Sequence, residues 1–174
     1  QTISAQSTWQ QVYTILSTNC SGSNCHSSNA NGFDVSASSA DLYDALVGIA
    51  PNNTTASGKG DKYIDPGYPA RSFALRSIAN CMSEDLALES TENTSAHDGL
   101  TPLLDQEIEI IRQWIIYGAP ETGAVVDKSL IDDYYTNGGI DKIERPTPPK
   151  SCEGFQIHMG PIFFEPRVLL VLED

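Results

Sequence analysis

One stretch, "STNCSGSNCHSSNANGF" at residues 17–33, constrains this chain more than any other. It holds Cys20, Cys25 and His26 among small polar side chains. Such a segment has almost nothing of its own to bury, so the entropy cost of ordering it must be offset from elsewhere. The cysteines could be half of a zinc site. A closed structural site needs four ligands, however, and no second Cys/His pair here has matching spacing. They could form a small local disulfide, with His26 incidental.

The third reading is that both thiols are thioether-linked to a haem whose iron is held by His26. It explains why the histidine directly follows the cysteine. Two covalent anchors fix the porphyrin edge, the next side chain reaches the iron, and the haem supplies the apolar surface that the segment lacks. The usual attachment spacing is Cys-x-x-Cys-His. The run "CSGSNCH" has four residues between its cysteines, a loop two residues longer.

The rest of the chain reads as helices joined by polar loops. "STWQQVYTILSTNC" sets Trp9, Val12, Ile15 and Leu16 on one face, with Ser7 or Thr8 as N-cap, and runs straight into Cys20. "SADLYDALVGI" places Leu42, Ala45, Leu46 and Ile49 together, with Ser39 capping and Pro51 as the stop. "NNTTASGKG" reads as an exposed loop. Pro69 suits the first turn of a helix through Phe73, Leu75, Ile78 and Ala79. "SEDLALESTENTSAHDGLTP" is irregular and polar. "LDQEIEIIRQWIIYGAP" is the clearest helix, with Asp105 as cap, Ile108, Ile111, Trp114 and Ile115 as its stripe, and Gly118 and Pro120 ending it. The domain expected is residues 1–122. Residues 123–174 read as a Pro/Gly-rich arm or linker with short strands in "FQIHMGPIFFEPRVLLVLED".

Order and content together resemble the class I c-type cytochromes, more closely the haem domains of secreted bacterial proteins. There a first helix runs into the attachment motif. Segments like "LYDALVG" and "YIDPGYPARSFALRSI" follow, and a last helix like "LDQEIEIIRQWIIYGAP" closes the domain. The resemblance covers about residues 8–120. It implies an all-α fold around one covalent haem c, with the first and last helices crossing and an extended arm beyond them. In the resembled domains a methionine before the last helix is the sixth iron ligand. His97 stands at that place, in "TSAHDGLTPLLDQEI", so His26/His97 ligation is expected. The bland alternative for His97 is a loop histidine in solvent. Met82, Met159 and His158 are the rival sixth ligands, and ordinary core packing is the alternative for Met82.

Cys81 and Cys152 remain. In an exported protein they point to a disulfide tying the tail to the end of the third helix, a closure contributing on the order of 4 kcal/mol. Two unpaired thiols, or pairing between chains, are the alternatives. Export to the periplasm or cell exterior is expected from a chain that begins at Gln1 as a processed protein would.

Lysine plus arginine number 10 against 23 aspartate plus glutamate, a net charge of −13. That repels nucleic acid and favours redox partners with basic docking patches. No apolar run approaches the ~20 residues of a membrane span. The function expected is electron transfer by the haem, not enzymatic catalysis. A haem enzyme or ligand sensor with a labile sixth ligand is one alternative. The other is a redox or assembly module of a larger secreted oxidoreductase, self-associating through the arm. "GFQIHMGPIFFEP" resembles the start of a domain that follows such haem domains in copper monooxygenases, among others.

Overall fold

The computed structural model describes residues 6–22, 25–27, 32–79, 82–92, 97 and 103–137. Helices dominate them. In order they are α1 (Thr8–Asn19), α2 (Ser39–Leu46), α3 (Thr54–Gly58), α4 (Phe73–Ile78), α5 (Asp105–Ile116) and α6 (Lys128–Asn137), with 3-10 turns at Pro69–Arg71 and Glu84–Leu86. No strand occurs among the described residues. Isolated bridges pair Val47 with Ile64 and Lys62 with Ser72. The chain is therefore all-α over this span, and no helix in it is long and apolar enough to cross a membrane.

The core forms where α1 meets α5. Trp9, Val12 and Ile15 of α1 are buried, as are Ile108, Ile111, Trp114 and Ile115 of α5. Trp9 stacks on Trp114 with ring centres 5.3 Å apart, and Tyr43 of α2 meets Trp9 edge-on at 5.3 Å. Each polar tip is satisfied. Trp9 Nε1 donates to Ser39 O (3.1 Å), Trp114 Nε1 to Pro120 O (2.9 Å) and Tyr43 Oη to Ala119 O (2.8 Å). These bonds let large amphipathic rings stay buried without an orphaned donor.

Several local expectations shift. Ser38, not Ser39, caps α2, accepting from Asp41 N at 3.2 Å. That helix ends at Val47, well before Pro51, and Ile49 is exposed rather than on its buried face. The loop expected at "NNTTASGKG" is α3, because Asn53 accepts from Ala56 N at 3.0 Å and Ala56 is fully buried. The helix expected from Pro69 onward splits into a 3-10 turn and α4. Ser72 sits between them in extended backbone, its hydroxyl accepting from Asp65 N and donating to Tyr68 O. Leu104 is the N-cap of α5 and Asp105 its first residue. Glu107 reaches back to accept from Leu104 N at 2.8 Å.

A further difference lies past Pro120. Residues 128–137 are helical where an arm was expected, and α6 packs on α5. Val126 and Ile131 join the core. Thr8, itself fully buried, fastens this segment to α1. Its hydroxyl accepts from Val125 N (2.9 Å) and Val126 N (3.1 Å), and its N–H donates to Gly123 O (3.0 Å). The packed unit thus continues through α6. The strands expected further on lie outside the described residues.

Candidate functional site

Cys20 is the C-cap of α1, its N–H donating to Leu16 O at 2.8 Å. The loop beyond it folds back. Cys25 N donates to Gly22 O (2.8 Å), His26 N to Cys20 O (3.1 Å) and Val35 N to His26 O (2.8 Å). Cys20, Cys25 and His26 thus gather at the end of α1. Gly22 packs closely here, since a Cβ at that position would stand 3.0 Å from Cys25 Sγ. Neither Cys20 nor Cys25 is in a disulfide.

His26 lies flat against Phe33, ring centres 4.0 Å apart and planes within 6°. Phe33 in turn meets Tyr63 edge-on at 5.3 Å. Gly32 makes that approach possible. Its φ is +99°, and a Cβ there would stand 2.0 Å from Tyr63 Oη. The loop is thereby tied to the core, through Phe33 and through the fully buried Val35.

His97 comes from the segment between α4 and α5, remote in sequence, yet its ring centre lies 6.2 Å from that of His26 with planes inclined at 32°. That spacing is within the span that two imidazoles holding one metal between them would need, at ~2 Å per metal–nitrogen bond. Nδ1 of His26 is buried without a hydrogen-bond partner. Burial, and then the neighbouring His97, hold the His26 pKa below its ordinary value, while the Phe33 backbone acts in the opposite sense. The ring is therefore neutral at pH 7, the form in which an imidazole binds a metal.

Burial pushes the Cys20 thiol up to about 11, with Cys25 and Glu107 adding to the effect. It is a protonated thiol at neutral pH, not a reactive thiolate. Among the described residues no group of three or more His, Cys, Asp or Glu is arranged to hold a metal ion. No closed zinc site is assembled around the cysteines there. The groups brought together are two cysteine thiols on one short loop and two imidazoles with ring centres 6.2 Å apart, and a haem c would use all four.

Of the other candidates, Met82 packs partly buried against the core, its N–H donating to Ala79 O at 3.0 Å. Cys81, Cys152, His158 and Met159 lie outside the described residues. A second group of charged residues went unnoticed in the sequence, Arg76 with Asp61 and Glu92, all three buried. Their spacing carries no periodic signal, and only the fold brings them together. Comparison with family models, with curated proteins and with solved structures finds no match to the chain.

Proposed function

We propose that this chain is an electron-transfer protein carrying one haem c, with a class I cytochrome c-like fold. Cys20 and Cys25 would hold it through thioether links, and His26 and His97 would bind its iron. The single observation that carries the reading is the 6.2 Å separation of the two imidazoles beside two unbridged thiols. The group would supply a one-electron Fe(III)/Fe(II) change.

The chain's own residues supply the rest. Phe33 fixes the plane of the His26 ring by stacking. The Cys20 O···H–N His26 bond fixes where that ring stands relative to α1. Two nitrogen donors would favour ferric iron, and with both imidazoles engaged the group would suit electron transfer over oxygen or peroxide chemistry. The net charge of −13 would steer a redox partner with a basic patch toward the haem edge. The function assigned is that of an exported carrier rather than an enzyme.

The test is the visible spectrum of protein made in cells able to attach haem, oxidised and then reduced with dithionite. Sharp alpha and beta bands on reduction, haem that stays on the denatured chain, and no far-red band in the ferric form are expected. His97→Ala should then become high-spin and bind carbon monoxide. A protein without haem absorption would end the reading. A far-red band would replace His97 by a methionine, Met82 or Met159.

A further inference from the structure

The segment joining α4 to α5 carries His97 with little regular structure of its own, a single 3-10 turn at Glu84–Leu86 among its described residues. Residues 87–92 are nevertheless held firmly, and charge does the holding. Arg76 of α4 is 4% exposed, Asp61 4% and Glu92 1%. Arg76 Nη1 donates to Asp61 Oδ2 (2.8 Å) and Glu92 Oε1 (3.1 Å), and Nη2 to Glu92 Oε2 (2.5 Å) and Ala87 O (3.0 Å). Lys59 Nζ lies 2.9 Å from Glu92 Oε1 and 2.8 Å from Glu89 Oε1. Glu89 N donates to Glu92 Oε2 at 2.9 Å. The backbone is pinned as well, by Asn53 Nδ2 donating to Glu92 O (3.0 Å) and Thr55 Oγ1 to Thr91 O (3.4 Å).

A buried ion cluster is a poor way to gain stability, because apolar residues of the same volume commonly do as well or better. What it provides is a fixed geometry, since a planar guanidinium gripping a carboxylate with both nitrogens admits little freedom of angle. Apart from the Arg76–Asp61 pair and the Glu89–Glu92 bond, these contacts join Asn53, Thr55, Lys59 or Arg76 to residues 87–92. Glu92 stands five positions before His97.

We infer that Arg76 and Glu92 are positioning residues for the sixth ligand: the buried cluster sets where the segment enters the site, and so holds His97 opposite His26. The inference rests on the haem reading above. Loosening the cluster should lower the fraction of molecules with His97 bound, without touching the haem attachment or the helices of the core. Carbon monoxide must displace His97, so its apparent affinity rises as that fraction falls.

The experiment uses the full haem-loaded chain, with electron paramagnetic resonance of the ferric form and carbon monoxide titration of the ferrous form. In wild type a low-spin, two-imidazole signal is expected. In Arg76→Met and in the isosteric Glu92→Gln, a high-spin fraction should appear and carbon monoxide should bind ~10-fold more tightly, with covalent haem retained. Ile131→Ala, which loosens the core elsewhere, should leave both readouts as in wild type. A shift of the same size in Ile131→Ala would overturn the inference, since general loosening would then explain the effect. Wild-type signals in both cluster variants would also overturn it while leaving the haem reading intact. A wild type without haem, or with a methionine-ligated signal, would instead overturn the haem or His97 assignment itself. Should Arg76→Met and Glu92→Gln both fail to fold, Thr55→Val, which removes the Thr55 Oγ1–Thr91 O bond and keeps the Asn53 cap of α3, decides by the same two signals.

Discussion

Gly32 shows how much one residue can carry. Its positive φ of +99° and the 2.0 Å that a Cβ would leave to Tyr63 Oη exclude any side chain there. Without that approach Phe33 could not bridge His26 and Tyr63. Gly32→Ala should lower stability by more than about 1 kcal/mol from the backbone alone, with the clash added. A thermal melt should show a lower Tm, and an unchanged Tm would mean that the loop does not pack in this way. The sequence announced the cysteines and His26 because their spacing is local. It also singled out His97, though only through its place ahead of the last helix. It could not announce Gly32, because what Gly32 makes room for is Tyr63, 31 positions away.

At the scale of elements, helices with a long apolar stripe were legible and short ones were not. The faces of α1 and α5 followed from period alone, since each buries a stripe through Trp9 or Trp114. The five-residue α3 has no stripe to read, and a side-chain cap at Asn53 with one buried Ala56 suffices to form it. For α6 the misleading cue was composition. "DKSLIDDYYTN" is acidic and polar, yet one buried Ile131 and the Thr8 bonds fix it to the core. Thr8→Val keeps the shape and leaves two backbone N–H groups without an acceptor, at about 1–3 kcal/mol. Ile131→Ala should cost about 2–4 kcal/mol by cavity formation. Denaturant unfolding should show both losses in one transition. A chain in which α6 melts separately from α1 and α5 would contradict its membership of the packed unit.

At the scale of the molecule, the charged cluster links stability to pH with opposing signs. Burial alone would raise the Glu92 pKa, but hydrogen bonds from Arg76, the Glu89 backbone and Lys59 outweigh it and hold it below the ordinary 4.5. Its contribution is therefore present above 4.5 and is lost as pH falls through the lower folded value. Asp61 behaves oppositely. Burial raises its pKa above 3.8 despite the opposing effect of Arg76, so folding grows costlier there as pH rises from 3.8 toward the folded value. Thermal melts between pH 3 and 6 should show Glu92→Gln with a flatter fall in stability below 4.5 than wild type, and Asp61→Asn with a steeper one. An unchanged slope in Glu92→Gln would show that the Arg76–Glu92 pair is not formed in solution.

The sequence by itself determined the helical class, the apolar faces of α1 and α5, and the local cluster of Cys20, Cys25 and His26. Each is written in residues a few positions apart, where period and spacing are set by backbone geometry. Only the tertiary structure decided that His97 lies 6.2 Å from His26 and that Arg76 finds both Asp61 and Glu92. Those approaches join segments without a shared period, and they come about only as the Trp9–Trp114 face and the aromatic contacts of Phe33 are buried.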